Sequence, residues 1–99
     1  MSLAINGTDG IDFNLDDARI KLGVDDDLQI YHDGSDSYID DSGTGDLCLR
    51  SSTIYLQKYT GENCAKFVAD GAVELYHDNS KKFESTSGGA TVTGDLTVT

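Results

Sequence analysis

Both histidines of the chain sit in the same tripeptide, Tyr31-His32-Asp33 and Tyr76-His77-Asp78. A histidine beside a carboxylate has two chemical uses: its neutral imidazole ligates transition metals, and near neutral pH it moves protons. Nucleophilic catalysis would also need a serine or cysteine tied to the histidine by a recognisable motif, and neither copy supplies one. No catalytic residue is assigned, and the chain is not expected to be an enzyme. Metal ligation needs more donors than one copy holds. It therefore depends on His32 or His77 converging from several chains on a symmetry axis, where the ligand set would suit a transition metal. The plainer role is a histidine ending a hairpin strand, hydrogen-bonded to the turn that follows.

A second set of groups is acidic. Asp25, Asp26 and Asp27 adjoin Asp33, Asp36, Asp40, Asp41 and Asp46. Calcium takes several carboxylate and carbonyl oxygens from a flexible loop, which this stretch is rich in. The spacing is not that of an EF-hand, and there is no glycine-rich calcium repeat. The competing role is a run of solvated turns that keep an assembly soluble and block sheet edges. The third set is aromatic. Tyr31 and Tyr76 fall out of phase with the apolar residues beside them, so they are expected to point outward. Outward aromatics stack on sugars and serve receptor-binding surfaces, or else pack across strands on a second sheet face. The glycine loops around Gly43 and Gly88 lack the following helix and lysine of a phosphate-binding loop.

These groups must be positioned by strands. Apolar residues alternate in Ala18–Val24, Asp27–His32, Asp46–Arg50, Thr53–Gln57 and Ala72–His77, and twice within Ala90–Thr99. Period-2 alternation marks half-buried strands. Between them lie Asp-Gly, Asp-Asn and Ser-Gly clusters suited to tight hairpins. No stretch keeps helical spacing over three turns. The expected class is all-β, with short strands and tight hairpins in a single β-rich module spanning residues 1–99, in which residues 1–17 form an N-terminal segment.

Composition limits the partners. The net charge is −11, from 18 acidic residues against 7 Lys and Arg. Nucleic acid and anionic membrane surfaces, both of which select cationic patches, are therefore not expected partners. No apolar run is long enough to insert in a membrane, and residues 1–10 show neither the basic stretch nor the apolar run of a secretion signal. Cys48 and Cys64 make no disulfide framework and no zinc spacing. Leu, Ile, Val and Phe total 23 residues, close to the roughly 20% below which chains tend to stay disordered. Regular strands with so little core imply that the missing core comes from copies of the same chain.

The two Tyr-His-Asp copies belong to a longer repeat with an offset of 45 residues. Ser35 matches Ser80 and Tyr38 matches Phe83. Then Ser42–Leu49 matches Ser87–Val98, with four residues inserted before the shared Gly-Asp-Leu. Two related hairpin repeats result, over about 28–49 and 73–98. The last nine residues stop inside the repeating pattern, as expected of a piece of a longer protein.

The phrases DLQIYHDGSDSYIDDSGTGDLCLRSS and GAVELYHDNSKKFESTSGGATVTGDL resemble the repeat modules of tail-fibre-like structural proteins of bacteriophages, particularly those of marine phages and their metagenomic relatives. The resemblance covers roughly Ile20 to Thr99. It implies a virion structural protein assembled in the bacterial cytoplasm. It also implies an elongated, intertwined β-rich homotrimer that joins other fibre segments and contacts a host cell-surface glycan or protein at its distal end. The alternative is a calcium-stabilised, carbohydrate-binding β-module of a bacterial surface protein. A fragment of a polysaccharide-degrading tailspike would need a long groove with paired acids, for which the chain is short.

Overall fold

The computed structural model describes residues 3–8 and 10–99. It is all-β, built from ten short strands: β1 (Leu3–Asn6), β2 (Gly10–Phe13), β3 (Arg19–Leu22), β4 (Leu28–His32), β5 (Ser37–Asp41), β6 (Thr53–Gln57), β7 (Asn63–Val68), β8 (Val73–His77), β9 (Ser80–Thr86) and β10 (Gly89–Val92). Every pairing is antiparallel and joins neighbours in sequence. Three sheets follow: β1-β2, β3-β4-β5, and β6 through β10 in order. The chain divides into two compact units, residues 1–47 and 48–99, so the five-stranded sheet stands alone in the second.

Short polar turns make such meanders easy to form, because each strand finds its partner a few residues away. The two repeated hairpins use different turn chemistry. In the first, His32 pairs with Ser37, which leaves Asp33–Asp36 as the loop. Asp33 Oδ1 accepts the backbone N–H groups of Ser35 at 2.9 Å and Asp36 at 2.7 Å, and Gly34 takes the left-handed φ of 100° that the loop needs. In the second, His77 pairs with Ser80, and only Asp78 and Asn79 turn the chain. Both are left-handed, at φ 48° and 62°, as a two-residue hairpin turn of type I′ demands.

The tighter turn has a consequence downstream. From histidine to aromatic the spacing is the same in both copies, yet Tyr38 pairs with Tyr31 while Phe83 pairs with Leu75. The second turn is two residues shorter, and a bulge in the β8–β9 ladder, beside Leu75 and Tyr76, restores one of the two. The two aromatics that match in sequence therefore lie on opposite faces of their sheets. Two expected strands are absent. Asp46–Arg50 and the segment around Leu96 and Val98 pair with nothing among the described residues. Conversely, β1, β2 and β7 fall outside the expected strands; β1 and β2 alternate over only four residues each, inside the expected N-terminal segment. In β7, Cys64 and Val68 stand opposite Ala65 and Phe67 and blur the pattern.

Asn79 also ties the second hairpin to the sheet, since its Oδ1 accepts the backbone N–H of Asn63 at 3.1 Å. Asn79→Val would force a β-branched residue into left-handed backbone and remove that bond. The expected loss is about 1–2 kcal/mol from the backbone alone, read as a lower denaturant midpoint. Asn79→Gly, which keeps the turn and loses only the side-chain bond, should lose less; equal losses would sink the turn assignment.

Candidate functional site

The registers sort the side chains of each sheet into two unlike faces. In the three-stranded sheet, Ile20, Ile30 and Ile39 stand opposite one another in a row, with Leu22, Leu28 and the charged Asp41 in the next row. His32 and Ser37 end this face, and His32 Nδ1 shares a 2.9 Å hydrogen bond with the Ser37 hydroxyl. In the five-stranded sheet the corresponding row is Leu56–Ala65–Leu75–Phe83–Val92, one residue from every strand. Ile54, Phe67 and Val73 form a second row beside it. Ala65, small and central, is 8% exposed and is the one buried residue among those described. Its neighbours Leu56, Phe67, Val73 and Leu75 are all exposed. No charged side chain occupies either of these two rows. In β1-β2, Ile5, Ile11 and Phe13 share an exposed apolar face as well.

The opposite faces are wired by polar contacts. Arg19 faces Tyr31 across β3 and β4, and its guanidinium carbon lies 3.7 Å from the ring centroid. On the other flank Tyr38 stacks on Tyr31, with centroids 4.8 Å apart and planes 22° from parallel. Tyr31 thus has neighbours on both sides, and Tyr38, on the edge strand β5, presents the outer aromatic face. The Tyr38 hydroxyl donates to Asp33 Oδ2 at 3.2 Å. Asp33 is held below its ordinary carboxylate value, first by the Asp36 and Ser35 N–H groups and then by this hydroxyl. The same bond to Asp33 raises Tyr38.

In the five-stranded sheet, Tyr55, Lys66, Glu74, Glu84 and Thr91 form the matching polar row. Glu74 and Glu84 are directly opposite, an arrangement that repels. Lys81 sits against both, 2.9 Å from Glu84 and 3.9 Å from Glu74, and the bond to Glu84 raises its pKa. The Tyr76 hydroxyl donates to Glu74 Oε1 at 2.6 Å, which lowers Glu74 and raises Tyr76. Lys66 lies 5.2 Å from the Tyr55 ring centroid.

Each residue singled out in the sequence now has a place. His32 and His77 are equivalent: each is the last paired residue before its turn and lies at the rim of an apolar face, but in a different unit. Asp25, Asp26 and Asp27 share the β3–β4 turn. There Gln29 Nε2 donates to the Asp26 carbonyl at 3.0 Å, and the Ser42 N–H donates to the Asp27 carbonyl at 2.9 Å. A Cβ on Gly43 would come within 2.9 Å of the Asp27 carboxylate, so that approach requires glycine. Among the described residues no three His, Cys, Asp or Glu side chains are grouped to hold a metal ion. Tyr31 and Tyr76 lie on the polar faces, as their phase predicts. Arg19, Asp33, Tyr38, Glu74 and Lys81 were not legible as partners, because cross-strand pairing alone brings them together. Among the described residues, Ile30, Tyr31, His32, Ser37, Tyr38 and Ile39 line an open hollow. Comparison with protein-family models, curated proteins and solved structures returns no match.

Since the folded Asp33 carboxyl titrates below its ordinary 3.8, its contribution is complete above that value and is lost as pH falls through the lowered one. Thermal melts of the protein and of Asp33→Asn at pH 7 and near pH 2–3 test this. The protein should melt higher at pH 7, and the gap should narrow in acid. A gap independent of pH would mean that the Asp33 charge adds nothing.

Proposed function

We propose that this chain is a structural module of a phage tail fibre or a related virion appendage, working as a homotrimer of identical copies. The supporting observation is surface. The chain exposes 8002 Å² at a mass of 10.6 kDa. A folded monomer of that mass exposes about 5,500 Å², and even two separate globules of half the mass would expose about 6,600 Å². The excess is at least on the order of 1,400 Å², and a standard interface takes about 800 Å² from each partner. Each chain of a ring of three meets two others, which accounts for an excess of that size. The likeness of Ile20–Thr99 to phage fibre repeats supplies the biological setting.

The two apolar rows of the five-stranded sheet supply the adhesive chemistry between copies, because they are free of charge in a chain whose net charge is −11. The polar faces remain outward, with Tyr38 and its carboxylate neighbours available to a host cell-surface glycan or protein. Copies brought together would crowd Asp25, Asp26 and Asp27, so bound calcium would ease their repulsion.

Light scattering on a sizing column, with and without calcium, reads the mass. The expected value is three times that of the chain. Leu75→Lys, in the long apolar row, should reduce it to that of one chain, whereas Thr91→Lys on the opposite face should not. A single-chain mass for the unaltered protein at all concentrations would overturn the proposal.

A further inference from the structure

Two segments have the pattern of strands and no ladder. They are Asp46-Leu47-Cys48-Leu49-Arg50 and Asp95-Leu96-Thr97-Val98. Each follows a glycine, in Gly-Asp-Leu, and each comes after the last paired strand of its unit, β5 or β10. Among the described residues, no backbone hydrogen bond joins either segment to another strand. Their alternate residues are large and open: Leu47 is 47% exposed, Leu49 58%, Leu96 71% and Val98 85%.

A linker would account for an unpaired stretch, but linkers are polar, Gly/Ser-rich or proline-rich, and need no alternation of large apolar residues. The same motif also recurs at the same place in both repeats, once between the units and once after the second. Alternating Leu and Val fit a strand with one buried face, and a strand needs a neighbouring edge. The chain carries such edges unfilled: β3 and β5 in the three-stranded sheet, β6 and β10 in the five-stranded one.

We infer that the two Gly-Asp-Leu segments, Asp46–Arg50 and Asp95–Val98, are donor strands that pair with a sheet edge of a second copy of this chain. The inference rests on the self-assembly proposed above and adds where the chains exchange strands. Charge selects a copy over a foreign peptide, because donor and acceptor are complementary within this chain: β5 carries Asp40 and Asp41 and would repel Asp46 or Asp95, whereas β3 carries Arg19 and Lys21, the two cations of residues 1–47. The edge at β3 is the complementary acceptor.

Hydrogen exchange of the full chain, run on the species whose mass light scattering has fixed, tests the inference. In the assembled protein, alternate amides within Leu47–Leu49 and within Leu96–Val98, those turned to the acceptor edge, should exchange on the order of a hundredfold or more slower than unpaired amides. Cys48→Pro and Leu49→Pro in the first segment, and Thr97→Pro and Val98→Pro in the second, each remove an N–H that makes no backbone bond among the described residues, so the sheets should survive while one variant of each pair weakens assembly at least tenfold. Multimers whose two segments exchange at unpaired rates, or which tolerate all four prolines, would overturn the strand exchange and leave the self-assembly standing. A chain that stays monomeric, including one whose segments become protected only on adding an unrelated protein, would overturn both.

Discussion

A single layer of antiparallel sheet has two faces, and folding stability requires that one of them leave water. That constraint governs this molecule. Among the described residues there is no helix, and the second unit holds no sheet besides the five-stranded one; Leu56, Leu75 and Val92 are exposed. Among the described residues only Ala65, hemmed by larger neighbours on both flanking strands, is withdrawn from solvent. Hydrophobic burial scales with the area removed from water, at about 25 cal/mol per Å², so the exposed rows leave part of the available stabilisation unrealised in one chain.

What organises the single chain is then largely polar and local. The outer face of the three-stranded sheet is a row of Arg19, Tyr31 and Tyr38, closed at its end by Asp33. Asp33 also caps its own turn, so one carboxylate orders both the loop and the edge aromatic. On the five-stranded sheet, Lys81 offsets two facing glutamates and Tyr76 completes the set. These contacts are exposed, and each is worth little alone. Their value lies in register: a slip of one residue would place Arg19 and the tyrosines among the isoleucines.

The division of labour between faces gives the functional proposal its physical sense. The charge-free rows of the five-stranded sheet suit the proposed contact with identical copies, since no like charges would meet there. The polar rows suit water or an outside ligand. In the proposed assembly the acids crowded into turns would stay in water while those rows cohere.

The sequence by itself determined the class, the positions of β3, β4, β6, β8 and β10, the hairpin turns and the phase of Tyr31 and Tyr76, because alternation and turn residues are local properties. Tertiary structure decided what depends on pairing. Tyr38 and Phe83 match in the repeat but face opposite ways, since a four-residue loop and a two-residue turn with a bulge set different registers. Arg19 meets Tyr31, and Lys81 meets Glu74, only once those registers exist. Asp46–Arg50 and the Leu96–Val98 stretch read as strands yet pair with nothing among the described residues, because alternation reports a surface fit to be half-buried and cannot name the neighbour that buries it.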